Sequence, residues 1–498
     1  MSLINAFMKQ YLAARMGRIK SFVSNPHQWQ QQIFNHLVQQ GSKTAFGKEH
    51  SYSAIKQYSD FKNNVPLNDY ENLKPWIERI QKGEQNVLWP APIKWFAKSS
   101  GTTTDKSKYI PLTTEAIRFN HVLGGKDLMA IYYNRFPKSR VFAGKSLIVG
   151  GSLSENFAGA KAGDLSAVLI HRMPEWLQFF RVPSREVITM SDWEKKIDAI
   201  VKSCINENLM SISGVPTWII MILKRALEVS GKKTVAEVWP ELELFVHGGV
   251  SFTPYAEEYN RLIGKPINYL EAYNASEGFF AFHDFEGEGM LLHAGSGIFY
   301  EFIPLEELDK PQPQAISLES VEVGKNYAIV ISTTTGLWRY MPGDTISFTG
   351  TKPYRIIITG RTKSFINVFG EEVMVHNTDK ALAQTCAQFN CVAHDYTVAP
   401  RFLTSAEKGA HEWLIEFEKE PLDLNLFASR LDENLQRLNS DYEAKREGGL
   451  ALQQLIVHTV KPQTFYRWLA SKNKLGGQHK VPRLNNNRKI FEEIQAFM

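Results

Sequence analysis

A loop rich in hydroxyl side chains is the part of this chain best suited to chemistry. It follows an apolar run at Ile93–Ala97 and consists mainly of serine, threonine, glycine and lysine. Such a turn brings several backbone N–H groups to one point, where they and nearby lysines bind phosphate oxygens. A loop of this composition is more often only a loop, so other sites must support the assignment. The candidate phosphate-binding residues are Ser99, Ser100, Gly101, Thr102, Thr103 and Lys108.

Two later stretches carry side chains that complement a nucleotide. In the first, the Glu277 carboxylate suits Mg²⁺, a hard cation that prefers oxygen ligands and phosphates. Tyr273 would stack on adenine, and Ser276 lies between these two residues. In the second, Asp344 follows a glycine and would accept both ribose hydroxyls. Taken singly, each residue has an ordinary alternative: Tyr273 in the core, Ser276 as a helix cap and Asp344 as a turn cap.

The composition limits the class of protein. A chain of 498 residues is too long for one small core, so we expect at least two domains. A net charge of +5 over this length gives no reason to expect a nucleic-acid partner. Three scattered cysteines indicate free thiols in a reducing compartment, and no segment is apolar and long enough to span a bilayer. We therefore predict a cytoplasmic protein without a membrane partner.

Elements with different periodicities must position these residues. Strand-like and helical patterns alternate from Leu209 to Pro254, which favours an α/β arrangement with a parallel sheet. Ligands bind at the carboxyl ends of such strands, where Gly248 and Gly249 follow the Leu242–Val246 run. We assign both glycines to the nucleotide site. Several β-rich segments follow.

A helix is expected directly after the first loop. Thr113 or Thr114 would cap it, and it would run to about Asn134. Helical spacing predicts that four of its apolar side chains face inward: Phe119, Val122, Leu123 and Tyr133.

The C-terminal part reads as a compact α+β unit. We place the boundary near Gly360, which gives a large domain at 1–359 and a small mobile domain at 360–498. The tail of the small domain is basic, and two glycines and a proline flank Lys480 in a loop-like stretch. These residues limit where the Lys480 side chain can reach. The predicted fold class is α/β, with a parallel sheet and a β-rich part in the large domain.

The three motifs, in this order, resemble those of the adenylate-forming enzymes. More closely, the chain resembles the auxin-responsive (Gretchen Hagen) family of acyl acid amido synthetases. The family's motifs are Ser-Ser-Gly-Thr-Thr/Ser with a later lysine, Tyr-x-x-Ser-Glu, and Tyr-Arg-x-Gly-Asp. They are matched by Ser99–Lys108, Tyr273–Glu277 and Tyr340–Asp344, and the resemblance covers essentially the whole chain. Three short motifs in the right order are far more specific than any one.

The resemblance also implies roles for two lysines. Gly360–Lys363 looks like the hinge of adenylate-forming enzymes, with Lys363 as the pivot. Lys480 is the best candidate for the lysine that bridges the carboxylate and the α-phosphate. Two departures concern nucleotide contacts. Met341 stands where the third motif usually has arginine, which Arg339 cannot replace without redirecting the strand, and Asp105 replaces a common glycine.

The resemblance implies an ATP- and Mg²⁺-dependent ligase. A carboxylic acid would be converted to an acyl-adenylate with release of pyrophosphate, and an amine, most naturally an amino acid, would then form the amide and release AMP. One alternative is an acyl-coenzyme A ligase, which passes the acyl group to a thiol. Another is a nucleotide-binding protein without turnover. The sequence identifies neither the acid nor the amine, and it leaves the oligomeric state unknown.

Overall fold

A computed structural model of the chain describes most of its residues. They are residues 3–99, 108–190, 193–249, 252, 255–308, 310–362, 365–366, 371, 373–401, 409–446, 452–472, 480–485 and 487–498. Contacts between residues divide the chain into two compact units. The first consists of residues 1–250, 262–342 and 346–357, and the second of 251–261, 343–345 and 358–498. These units are discontinuous along the chain, and the division into domains at 1–359 and 360–498 stays a prediction.

The first unit begins with helices and adds further helices between its strands. Its α-helices are α1 (Leu3–Ala13), α2 (Met16–Ser24), α3 (Pro26–Gly41), α4 (Ala45–Glu49), α5 (Tyr58–Asn64), α6 (Tyr70–Gln81), α7 (Thr114–Ala116), α8 (Val122–Arg135), α9 (Leu165–His171), α10 (Glu175–Gln178), α11 (Arg185–Ile188), α12 (Trp193–Cys204), α13 (Pro216–Ser230) and α14 (Val235–Val238). The next helix, α15 (Ala256–Ile263), belongs to the second unit up to Arg261. A π-helical segment, Ile117–His121, joins α7 to α8.

The strands up to residue 361 form two sheets. They are β1 (Trp95–Ser99), β2 (Lys108–Leu112), β3 (Lys145–Ile148), β4 (Leu153–Phe157), β5 (Ala160–Gly163), β6 (Arg181–Val182), β7 (Leu209–Gly214), β8 (Leu244–His247), β9 (Asn268–Ala275), β10 (Gly278–Phe282), β11 (Met290–Leu292), β12 (Ile298–Pro304), β13 (Ile316–Ser317), β14 (Asn326–Thr333), β15 (Asp344–Thr351) and β16 (Tyr354–Arg361). The smaller sheet has the order β2-β1-β5-β4. The larger has the order β13-β12-β14-β15-β16-β11-β10-β9-β8-β7-β3-β6.

The larger sheet has a parallel part and an antiparallel part. Strands β6, β3, β7, β8 and β9 pair in parallel, with α12 between β6 and β7 and α13 between β7 and β8 along the chain. β10 then pairs with β9 in the antiparallel direction. Runs such as Leu244–His247 are mostly buried, as expected for parallel strands. Proline at the first position of α13 and Gly231 after its end, with φ of +67°, set the limits of that helix.

The second unit is a smaller α+β assembly. Its remaining elements are β17 (Phe365–Ile366), β18 (Val373–Met374), α16 (Val375–Phe389), β19 (Val392–Arg401), β20 (Ala410–Lys419), α17 (Leu424–Leu438), α18 (Ser440–Arg446), β21 (Ile456–Val460), α19 (Thr464–Ser471) and α20 (Lys489–Gln495). β19, β20 and β21 form a sheet in that order. α16 and α17 pack on each other, and Trp413, Phe427 and Leu431 lie in the core. The predicted fold class is thus confirmed.

The helix predicted after the first loop forms, and Tyr133 is buried as predicted, but the start of its buried face was predicted wrongly. Thr113 caps α7 as expected. Phe119 and Val122, however, are 54% and 40% exposed, whereas Asn120 and His121 are buried. A π-helical turn contains more residues than an α-helical turn, so the segment at 117–121 shifts which side chains face the sheet. Of the helices formed by the described residues, none is long and apolar enough to cross a membrane.

Candidate functional site

The two ends of the hydroxyl-rich loop lie side by side. Ser99 ends β1 and is paired with Lys108, which begins the antiparallel strand β2. The Lys108 ammonium lies 5.8 Å from the centre of the Tyr70 ring, and the Tyr70 hydroxyl accepts a hydrogen bond from the amide of Tyr109 (2.9 Å). Four predicted phosphate-binding residues lie outside the described residues: Ser100, Gly101, Thr102 and Thr103. The described stem therefore holds the ends of this loop at adjacent positions of one hairpin.

The segment after Lys108 contacts the region just before the third motif. The Thr113 hydroxyl accepts the amide of Ala116 (2.9 Å), and this caps α7. The same hydroxyl donates to the carbonyl oxygen of Thr334 (2.9 Å), which follows β14 and precedes Trp338–Asp344. Thr113 therefore connects the chain leaving the first motif with the chain entering the third.

The π-helical segment then holds the second motif. The Asn120 amide group donates to the carbonyl oxygens of Phe279 (3.2 Å) and Ser296 (2.8 Å), and Asn120 Oδ1 accepts from the Phe279 amide (2.7 Å). His121 Nδ1 lies 2.9 Å from Asn274 Oδ1. Burial lowers the pKa of His121 to about 4, so the imidazole is neutral at pH 7 and its Nδ1–H donates to Asn274.

The second motif lies at the turn between β9 and β10. Tyr273 is buried on β9, with its ring centre 4.7 Å from that of Phe280. Ser276 and Glu277 form the turn and are both buried. No helix begins at Ser276, so it is not a helix cap. Its buried hydroxyl has no hydrogen-bond partner within the described part of the chain, which leaves a polar atom for a ligand at this turn.

Backbone geometry explains why two glycines, Gly248 and Gly249, follow β8. A Cβ atom on Gly248 would lie 2.2 Å from the carbonyl oxygen of Ala272 on β9, so only glycine fits at this close approach. Gly249 has a φ of +82°, which side-chain-bearing residues rarely adopt. Both glycines thus lie at the carboxyl end of a parallel strand, beside the strand that carries Tyr273.

The arginine before the third motif has a structural role. Arg339 is buried, with φ of +42°, and its Nε and Nη2 donate to the Glu301 carboxylate at 2.9 to 3.1 Å. Its Nη1 donates to the carbonyl oxygen of Val65 (2.8 Å). It therefore does not replace the arginine that the third motif usually has. Met341, at the usual arginine position, packs against an apolar cluster of the first unit that includes Ile303 and Val330.

In the second unit, three charged groups lie close together. Gly343 has a φ of +94° and turns the chain into Asp344, and its carbonyl oxygen accepts the amide of Thr362 (2.8 Å). Asp344 Oδ1 lies 3.3 Å from Arg361 Nη1. The Lys480 residue as a whole is exposed, whereas its ammonium group is within electrostatic reach of Arg361 and Asp344. Desolvation and then the positive charge of Arg361 lower its pKa to about 8, while Asp344 opposes the shift. This unit therefore places Asp344 and Lys480 within electrostatic reach of each other.

The proposed metal ligand is Glu277, and the proposed hinge pivot is Lys363. Among the residues that the structure describes, no group of three or more His, Cys, Asp or Glu side chains is placed to hold a metal ion. Mg²⁺ in phosphate-transfer sites commonly takes only one or two carboxylates, together with substrate phosphates and water. The buried Glu277 carboxylate beside the unpartnered Ser276 hydroxyl fits such a donor set. Lys363 lies outside the described residues.

The sequence analysis did not identify three residues that contact the motifs: Asn120 and His121, which bind the second motif, and Arg361, which pairs with Asp344. The first two were hidden because α-helical spacing was assumed across a π-helical segment. Arg361 was included in the predicted hinge without a role of its own. Its position at the end of β16, opposite the start of β15, follows from strand pairing, which the sequence pattern alone predicts poorly. Two aromatic residues between α9 and β6, Trp176 and Phe179, are exposed, so they are not core residues.

Three family models match this chain. They are the GH3 family N-terminal domain at residues 15–267, the central domain at 291–361 and the C-terminal domain at 376–489. Among characterised proteins, the chain is similar to indole-3-acetic acid-amido synthetase GH3.3 from Arabidopsis thaliana. The two are 21% identical over an alignment that covers 94% of this chain and 91% of that protein.

Solved structures share the fold. One is the AtGH3.15 acyl acid amido synthetase in complex with 2,4-DB, with a TM-score of 0.80, 18% identity, and coverage of 98% of this chain and 96% of that chain. Another is 2-hydroxyisobutyryl-CoA ligase in the postadenylation state in complex with R3-HIB-AMP. It has a TM-score of 0.56, 13% identity, and coverage of 93% and 91%. The chain therefore has the fold of adenylate-forming enzymes along nearly its whole length.

Proposed function

The chain belongs to the GH3 family, and we propose that it is an ATP-dependent acyl acid amido synthetase. Its substrates would be a small-molecule carboxylic acid, ATP and an amine, most naturally an amino acid. The observation that carries the proposal is the segment from Lys108 to His121. Its side chains hydrogen-bond the chain entering the third motif and the strands of the second motif. This arrangement is expected if all three motifs serve one nucleotide.

In the first half-reaction, a carboxylate oxygen of the acid attacks the α-phosphorus of ATP. A bond between that oxygen and phosphorus forms, the bond to the bridging oxygen of the β-phosphate breaks, and pyrophosphate leaves. The first loop would bind the triphosphate, with the Lys108 ammonium and the hydroxyls at Ser99–Thr103 stabilising the developing charge. Gly248 and Gly249 would allow the nucleotide close to the backbone, Tyr273 would stack on adenine, and Ser276 would donate a hydrogen bond.

Mg²⁺, held by Glu277, would neutralise charge on the phosphates when bound. Asp344 would accept the ribose hydroxyls. Lys480 would supply positive charge as the carboxylate attacks, and Lys363 would be the pivot of the second unit. Arg361 forms an ion pair with the Asp344 carboxylate and would hold it in place to accept the two hydroxyls.

In the second half-reaction, the amine nitrogen attacks the acyl carbon. A carbon–nitrogen bond forms, the bond to the AMP oxygen breaks, and the amine loses a proton to solvent or to a base that the described residues do not identify. Adenylation makes AMP the leaving group in place of hydroxide. We further propose that the protein works in the cytoplasm, because Cys204, Cys386 and Cys391 are buried free thiols. We propose no nucleic-acid or membrane partner.

The test is pyrophosphate release from ATP and Mg²⁺ in the presence of hydroxylamine and a panel of aryl, indole and aliphatic acids. We expect release with particular acids and formation of the matching hydroxamate. Amino acids and coenzyme A are then compared as acceptors with the active acid. Amide formation with an amino acid supports the proposal, and thioester formation in its place would establish the acyl-coenzyme A ligase. ATP binding without pyrophosphate release for any acid would contradict a catalytic role.

A further inference from the structure

Lys480 begins an extended segment whose backbone is attached to β19. The amide of Val398 donates to the carbonyl oxygen of Arg483 (2.8 Å). The Thr397 hydroxyl donates to the carbonyl oxygen of Pro482 (2.6 Å). The path of the chain directly after Lys480 is therefore fixed by the central part of β19.

The side chain of Arg483 adds a second attachment. Its Nη1 donates to the Asp395 carboxylate and to the carbonyl oxygen of Tyr396 (3.3 Å), and its Nη2 donates to the Tyr255 hydroxyl (3.0 Å). The guanidinium carbon also lies 4.4 Å from the centre of the Tyr396 ring. Only 17% of the Arg483 side chain is exposed. Hydrogen bonds from Nη1 and Nη2, together with the Tyr396 ring against its face, therefore fix the position of the guanidinium.

Arg483 also acts on Lys480 through its charge. Desolvation is the largest cause that lowers the pKa of Lys480 to about 8, and Arg361 and Arg483 add to the shift. Asp344 raises the pKa in opposition. The three charged groups that act on the Lys480 ammonium therefore include Arg483, whose own attachments fix the backbone after Lys480.

We propose that Arg483 is a positioning residue for Lys480, and that the Tyr255 hydroxyl completes its binding site. Arg483 acts through the backbone and through charge, and needs no contact with a substrate. The inference rests on the proposed function, in which Lys480 assists adenylation. Lysine would be a poor replacement at position 483. The planar guanidinium donates hydrogen bonds from two nitrogens and stacks on the Tyr396 ring at the same time, which a single ammonium group cannot do.

The first experiment measures Lys480 without any need for activity. Competitive acetylation of all lysines over a range of pH, followed by peptide mass spectrometry, gives the relative reactivity and apparent pKa of Lys480. In Arg483→Gln, loss of a neighbouring positive charge raises that pKa, so less free amine is present at pH 8. We expect Lys480 to label about threefold more slowly at pH 8 in this variant.

The second experiment separates the half-reactions. Arg483→Gln and Arg483→Lys are each expected to slow acid-dependent pyrophosphate release about tenfold or more and to leave aminolysis of a supplied acyl-adenylate within about twofold. Tyr255→Phe removes a single hydroxyl and keeps the ring. It should also slow pyrophosphate release and spare aminolysis, with a smaller decrease in rate. This variant replaces the arginine variants in the test if those fold poorly.

The matched control is Arg488→Gln. Arg488 is also a partly buried arginine near the same sheet, with its Nη1 2.6 Å from Glu412 and 3.0 Å from the carbonyl oxygen of Pro400. It is not among the charges that act on Lys480. We expect this variant to keep the Lys480 labelling profile and both half-reactions.

The outcomes separate this inference from the proposed function. An unchanged Lys480 profile in Arg483→Gln, or an equal loss of both half-reactions in Tyr255→Phe, overturns the positioning role. If the wild-type protein releases no pyrophosphate with any acid, the proposed function fails. The labelling experiment still decides whether Arg483 controls Lys480.

Discussion

Asp344 Oδ1 and Arg361 Nη1 lie 3.3 Å apart, at the start of β15 and the end of β16. Hydrogen bonds between the flanking residues also fix the position of this ion pair. The amide of Thr362 donates to the carbonyl oxygen of Gly343 (2.8 Å), and the Thr359 hydroxyl donates to that of Thr345 (2.9 Å). The Asp344 carboxylate therefore has a fixed position before any nucleotide arrives, which reduces the entropy lost on binding.

Replacing Asp344 tests its assignment to ribose. Asp344→Ala removes two charge-assisted hydrogen bonds, so we expect the KM for ATP to rise by about 100-fold in the pyrophosphate assay. Asp198→Ala, which removes one partner of an exposed ion pair with Arg225, is the control and should leave the KM unchanged. An unchanged KM in Asp344→Ala would remove this residue from the nucleotide site.

Replacing Glu277 tests its assignment to Mg²⁺. Glu277→Gln keeps the size of the side chain but loses the charge that Mg²⁺ prefers. We expect ATP to bind, by calorimetry, while Mg²⁺-dependent adenylation falls by at least about 100-fold. Glu286→Gln alters an exposed carboxylate shortly after β10 and should behave as the wild type. Full activity of Glu277→Gln at limiting Mg²⁺ would end the metal role.

His121 predicts a dependence of stability on pH. Its pKa is lowered to about 4 in the folded protein by burial, against an ordinary value of 6.5. Between these values the unfolded chain binds the extra proton, so stability falls as the pH decreases from 6.5 to 4, by about 3 kcal/mol from this group. In His121→Asn the melting temperature should fall less steeply over this window. An identical slope in both proteins would mean that His121 is not neutral when folded.

Gly248 predicts a steric effect at the end of β8. Gly248→Ala places a Cβ against the carbonyl oxygen of Ala272, and the backbone must shift at a cost of about 1–3 kcal/mol. We expect a lower melting temperature and weaker ATP binding. Gly125→Ala is the control, because no atom beyond the neighbouring residues and backbone of its own helix lies within 4 Å of the added Cβ, and alanine favours the helix. A Gly248→Ala protein as stable as Gly125→Ala would contradict the close approach.

The ion pair between Arg339 and Glu301 predicts a strong effect on folding. Arg339→Met leaves a fully buried carboxylate without its partner, so we expect destabilisation by about 3–5 kcal/mol, seen as a lower denaturation midpoint of the first unit. Lys74→Ala breaks an exposed pair with Glu71 and should cost less than about 1 kcal/mol. Replacing Glu301 by Leu in the Arg339→Met protein should recover part of the loss. Equal effects of the two single variants would contradict this account.

Local patterns predicted the elements well where one physical rule dominates. Thr113 caps a helix because its hydroxyl is placed for the free amides of the first turn. The alternation after Leu209 gives the parallel strands β7, β8 and β9, because buried strands and amphipathic helices have different periods. The order of the three motifs gave the family and the candidate residues.

The remaining features depend on contacts distant in sequence. Phe119 and Val122 were placed inward because nothing in the local pattern reveals a π-helical turn. The partnership of Arg483 with Tyr255 joins residues 228 positions apart, and no periodicity predicts such a pair. The ion pair of Arg339 was not predicted either, because its partner Glu301 lies on β12, 38 positions earlier in the sequence.

The make-up of the second unit has a consequence for recombination between relatives. Residues 251–261 belong to it although they precede most of it by about a hundred positions. A chimera with a single crossover at Gly360 would inherit Arg483 from one parent and Tyr255 from the other, and it would also separate Arg261 from Glu418. Exchange of the C-terminal part therefore calls for co-transfer of the α15 segment, so this unit is inherited as a discontinuous module.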